Sequence, residues 1–249
     1  MMNFLKLREK VGLVNGFFLG AATAAISFAR QSRMFHPRGV TYLGHVSIIT
    51  PEVKLPAEAL LRFSSAWWKK VEWIDVLGVA IRFSSSAAFT ETPKEGDQDL
   101  LFATIRHPWT LPFAPFTTQY HDFLANEYFT VSPFQITLAG GPRLVEFRLV
   151  PSSSSPEGAK RKERLCEAVK RGAHFNLEFR ELKRAEWIPA ARIDLTNPIA
   201  LNQELLQFSP FRVGAKIEPR GYIHFLRVGA YRASQWIRPK SDSNSASGG

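Results

Sequence analysis

The chain holds a single cysteine, Cys166, among its 249 residues. An internal disulfide framework is therefore excluded, and the thiol usage fits a reducing compartment. No Cys/His cluster has the spacing of a zinc site. Long Lys/Arg runs interleaved with aromatics are also lacking, and no nucleic-acid-binding motif stands out, so no nucleic-acid partner is expected. Acidic residues are the scarcer charge: 22 Asp and Glu against 32 Lys and Arg leave a formal net charge of +10. That balance favours an acidic lipid surface or a carboxylate-bearing ligand as partner. No internal repeat is present.

What the chain has in quantity is phenylalanine, 20 residues of it, as expected where a barrel or an apolar cofactor must be lined. The length suits one large domain with a substantial core. Residues 1–32 stand apart. Lys6, Arg8 and Lys10 precede a stretch from Val11 to Ala29 that is nearly free of charge and about long enough to cross a bilayer. Gly12, Gly16, Gly20 and Ala24 recur every four residues, a small-residue face suited to close helix packing. A membrane anchor, a packed N-terminal helix and a cleaved signal compete as readings. Location is accordingly expected to be cytoplasmic or membrane-associated through residues 11–29.

From Arg33 the pattern changes to short β-like runs. Strands are expected at Val40–Ile49, Leu60–Phe63, Val76–Phe83, Asp99–Ile105, Phe134–Leu138, Arg143–Val150, Phe175–Phe179 and Trp187–Leu195. The second and third are continuously apolar, which predicts burial on both faces. Residues 84–98 read as a loop, and 108–133 as mixed helix and loop. A helix is expected after the Ser-rich turn 151–156, with Pro156 near its first position, Glu157 in its first turn and Gly172 at its end. The fold class is α+β: an antiparallel β-barrel with added helices, one domain over 33–240, and a disordered tail at 241–249. A homo-oligomer stays open.

Near the C-terminus stands R-V-G-A-Y-R-A-S-Q-W-I-R, residues 227–238. On a helix, Arg227 and Tyr231 share one face. A guanidinium beside a phenol favours the phenolate, a group able to serve as axial ligand to haem iron. The plainer reading is an amphipathic helix whose tyrosine packs against the core.

Six ordered pieces bear on that choice. R-M-F-H-P-R-G (33–39), L-L-R-F-S-S (60–65), D-V-L-G-V-A-I-R-F (75–83), D-Q-D-L-L (97–101), F-S-P (208–210) with I-E-P (217–219), and the closing dodecamer all appear in one chain. Together they resemble the haem catalases and their short catalase-like relatives, over about Arg33 to Arg238. The resemblance implies a catalase-like barrel binding haem b, with Tyr231 as the iron ligand and Arg227 holding it as phenolate. It implies that Arg33, Arg62 and Arg238 clamp the haem propionates, as planar guanidinium forks do with carboxylates. It makes His36 the distal histidine, a general base and then acid, and Ser64 the hydroxyl that orients its ring.

The chain also departs from that family. Where catalases carry a distal asparagine, D-L-L-F-A-T (99–104) offers Ala103 or Thr104. Phe35 replaces the usual valine before the distal histidine, and Val76-Leu77 replaces a Pro-Arg pair. The expected function is a catalase- or peroxidase-type reaction on hydrogen peroxide or an organic or lipid hydroperoxide. The alternative is a non-catalytic barrel of the same fold holding haem or an apolar anionic ligand, with membrane contact in either case through residues 11–29.

Overall fold

The computed structural model describes residues 39–220 apart from 67–71, 108–109, 111–112, 131, 153–154 and 158–159. Ten strands form within that span: β1 (Gly39–Ile48), β2 (Glu58–Ser65), β3 (Leu77–Ser84), β4 (Gln98–Ala103), β5 (Tyr128–Phe129), β6 (Phe134–Leu138), β7 (Gly141–Pro151), β8 (His174–Glu181), β9 (Ile188–Pro198) and β10 (Glu218–Pro219). All pairings are antiparallel, in the order β10-β6-β7-β5-β4-β3-β2-β1-β9-β8. Because β8 also pairs with β7, the sheet closes on itself as an eight-strand antiparallel barrel. Closure removes the edges of those eight strands, and β6 with β10 extends from β7 outside the ring.

Alternation along each strand decides what fills the bore. Tyr42 and Val46 on β1, Leu61 and Phe63 on β2, Val79 and Ile81 on β3, and Leu100 and Phe102 on β4 join one apolar cluster with Phe147, Leu149, Phe175, Leu177 and Ile193. The rings interlock, with Phe63 5.5 Å from Phe123 and 5.7 Å from Phe175 between centroids. At that spacing aromatic pairs attract beyond their buried area. The bore is thus a packed core, and a ligand must bind elsewhere.

The opposite faces of β2 and β3 are buried as well, as their continuous apolar character predicts. Their cover is residues 199–217, the segment following β9, called the strap below. Its Leu206 and Phe208 pack on Leu60, with Leu43, Ala80 and Leu101 around them. Polar contacts fix the strap in register: Ile199 N–H donates to the Thr41 carbonyl, and Gln98 Nε2 donates to the Arg212 carbonyl at 2.8 Å.

Helices are few. In the 108–133 region a one-turn helix, α1 (Ala114–Thr117), and a 3-10 turn at Phe123–Ala125 precede the short strand β5, which local pattern did not mark. The helix expected from Pro156 starts later, as α2 (Arg161–Lys170). The reason is its cap. Lys160 supplies no side-chain hydrogen bond, and the Glu72 carboxylate accepts from Arg161 N–H at 3.0 and 3.2 Å instead. A carboxylate there satisfies open N–H groups and complements the helix dipole. Gly172 follows the C-cap with φ +81°, the left-handed conformation that suits glycine at this place. Among the described residues no helix is long and apolar enough to cross a membrane. The hydrophobic stretch 11–29, the expected closing helix at 227–238 and the tail at 241–249 lie outside them.

Candidate functional site

Register builds an unusual wall on the strap side of the barrel. Gly39 lies opposite Ser64, Ser64 opposite Gly78, and Gly78 opposite Ala103. One row across four strands therefore carries no side chain larger than a hydroxymethyl. The next row is Thr41, Arg62, Ala80 and Leu101, and the one beyond it Leu43, Leu60, Arg82 and Asp99.

Arg62 and Ser64, two of the expected site residues, meet on this wall. They are two positions apart on β2, so both side chains leave the same face, and both are buried. Arg62 Nε donates to Gln203 Oε1 at 2.7 Å. Ser64 Oγ lies 3.4 Å from the Gly78 carbonyl. Arg33, His36, Arg227, Tyr231 and Arg238 lie outside the described residues. In sequence, His36 precedes Gly39 by three residues, and Gly39 is the residue paired with Ser64.

The two replacements for a distal amide behave differently. Ala103 ends the small-residue row and presents only a methyl group. Thr104 is occupied structurally: its hydroxyl accepts from Leu77 N–H at 3.2 Å and sits 2.7 Å from Thr118 Oγ1. Thr118 Oγ1 in turn donates to the Ala114 carbonyl at 2.7 Å, so Thr104 ties α1 to the start of β3.

Beside this wall lies an ionic cluster that sequence reasoning missed. Asp99 is fully buried and accepts from Arg82 Nε at 3.0 Å, from the Ser209 N–H at 2.8 Å and from Arg212. Arg82 Nη2 also donates to the Gln207 carbonyl, and the guanidinium stands 4.9 Å from the Phe208 ring. Its remaining nitrogen, Nη1, is buried with no hydrogen-bond partner, a cost that the cation–π contact partly offsets. Burial pushes the Asp99 carboxyl above its ordinary value, against the opposing pull of Arg82 and Arg212. The only sequence signal was the presence of Arg82 and Asp99 in adjacent apolar strands, where an unpaired charge is not tolerated.

Among the described residues no group of three or more His, Cys, Asp or Glu side chains gathers to hold a metal ion. No protein-family model matches the chain, and no curated protein matches it.

Proposed function

We propose that the outer wall of β1–β4 is the distal face of a haem b site, and that the protein turns over a peroxide there. The observation that carries this reading is the shared face of Arg62 and Ser64 beside a row without large side chains. A flat macrocycle needs such a floor, and its carboxylates need a cation at the rim. Gly39, Ser64, Gly78 and Ala103 offer the first, and Arg62 offers the second.

Haem, when bound, supplies a redox-active iron at which a peroxide O–O bond is cleaved. The chain's residues do the rest. Arg62, with Arg33 and Arg238, would hold the carboxylates through charge-assisted hydrogen bonds. Tyr231, kept as phenolate by Arg227, would serve as the protein ligand. His36 would take the first proton of the peroxide and return it to the departing oxygen. Ser64, whose hydroxyl donates to the Gly78 carbonyl, would orient that imidazole. Because Ala103 presents a methyl group, an organic or lipid hydroperoxide is as suitable a substrate as hydrogen peroxide.

The same methyl group favours a second reading, a non-catalytic barrel that holds haem or another apolar anion without turnover. One series of measurements separates them. Full-length protein supplied with haem is expected to show a Soret band, which Tyr231→Phe shifts or abolishes. Peroxide consumption should fall by about 100-fold or more in His36→Ala, the scale of a lost general acid–base group. Absence of a Soret band in the parent protein sinks the haem reading. A normal Soret band with no peroxide turnover leaves only the binding barrel.

A further inference from the structure

At one end of the barrel the acids are turned inward and the aromatics outward. β2 ends at Ser65, β3 begins at Leu77 and β4 ends at Ala103, so the connections 66–76 and 104–113 leave the same end. Ala66, Val76 and Ala114 form one buried cluster there. Ala114 opens α1, and this contact lays the turn down on the barrel, with Pro115 buried beside it.

Hydrogen bonds fix the turn further. Phe113 N–H donates to the Thr110 carbonyl at 2.9 Å, and Phe116 N–H to the Phe113 carbonyl at 3.0 Å. Thr118, tied to Thr104, meets the Ala114 carbonyl through both its N–H and its hydroxyl. Outward the turn carries Phe113, 67% exposed, and Phe116, 74% exposed. They are three residues apart, which on a helical turn puts them on one side. Trp73, 54% exposed, stands in the neighbouring connection. Holding phenylalanines in water on a fixed turn forgoes the gain from burying them, and points to a surface that buries them later.

Two observations select a lipid surface over another protein. At those exposures the three rings offer about 400 Å², given the usual size of aromatic side chains, against about 800 Å² per partner in a stable protein interface. A bilayer needs no matching shape, and aromatic residues settle at the depth of its headgroups. Charge agrees. The acids of the two connections are engaged inside the fold: the Glu72 carboxylate accepts from Arg161 N–H, and Asp75 from Ala66 N–H and Val76 N–H. Arg106 is exposed, and the formal charge of +10 on the whole chain draws it to an anionic membrane.

We propose that Phe113 and Phe116 form an interfacial anchor that seats this end of the barrel on an anionic lipid surface. The inference is independent of the haem reading and of the stretch 11–29.

The test mixes full-length protein with vesicles of phosphatidylcholine, with or without phosphatidylserine, and reads partition by co-sedimentation. The parent should bind the anionic vesicles about tenfold more tightly than the neutral ones. Phe113→Ser with Phe116→Ser should lower that binding by about 100-fold, the scale of two phenyl groups withdrawn from water. Phe113→Trp with Phe116→Trp should keep it, because tryptophan suits the same depth. Both double variants should melt with the parent, since neither side chain belongs to the core. A local probe separates contact through any other segment. An environment-sensitive dye on Thr117→Cys, in a Cys166→Ser background, should shift to the blue on anionic vesicles. A dye that stays in water while the protein binds overturns the inference, as does undiminished binding by the serine variant. Failure of the parent to bind anionic vesicles overturns it too. Loss of a lipid-free oligomer in the serine variant, with vesicle binding unchanged, gives the face to a second copy of the chain instead.

Discussion

Arg62 and Arg82 look alike in sequence, each set in an apolar strand, and both end up buried on the same outer wall. Their partners differ. Arg82 is gripped by the Asp99 carboxylate and the Gln207 carbonyl, and Asp99 also draws in Arg212 and the Ser209 N–H. Arg62 is oriented at Nε by the amide of Gln203 and crosses a glycine. One arginine therefore fastens the strap to the barrel. The other lies against Gly39, at one end of the small-residue row. A buried guanidinium is thus read by what holds it, since burial alone does not say which element it fastens.

The comparison is broken most severely at Asp99. Asp99→Ala takes the nearer carboxylate from the buried Arg82 and leaves it Asp97 at 3.8 Å, and should cost about 3 kcal/mol of unfolding free energy in denaturant titration. Its effect on haem binding should be secondary to that loss. Arg62→Ala should cost less, about 2 kcal/mol for its charged hydrogen bond, yet weaken haem binding in a Soret titration. If the two variants lose stability equally and haem affinity equally, the two arginines do one job.

The smallest effect separates the wall from the bore. Burial, with the neighbouring Cys166 adding to it, pushes the Tyr42 phenol from 10.0 up to about 12. The folded state keeps that proton while the unfolded chain releases it above about pH 10. Stability therefore falls as pH rises from 10 towards 12 and is fully retained below 10. Tyr42→Phe should move the onset of alkaline unfolding to higher pH, measured by far-UV circular dichroism, without altering haem binding. An unchanged onset would show that Tyr42 does not govern it.

Much of the barrel was legible in the sequence because strand alternation is local. Phe175, Leu177 and Phe179 announce β8, and the double-sided apolar runs announce β2 and β3 together with a cover over them. What escaped was long-range. The start of α2 depends on Glu72, which is 89 residues upstream of Arg161, so no helix signal around Pro156 could locate it. The two residues of β5 are too few to show a period. Of the candidate site, Arg62 and Ser64 were readable from R-F-S-S, and the structure puts them on one face. Gln203 was not readable, because an amide in a loop announces nothing until the strap is folded onto β1 and β2. Gly39 stood in a quoted motif, but the approach of Arg62 to it emerges only once β1 and β2 are paired.

The seam between β1 and β9 bears on how the chain is made. β1 takes β2 on one side and residues 191–198 on the other. During synthesis its second edge waits for some 150 residues, during which an unpaired strand is exposed to other chains. Fragments that stop before β9 should aggregate for that reason, and refolding should be slow, as expected where distant segments must meet before the sheet can close. The first of the described strands to be made is among the last to be secured.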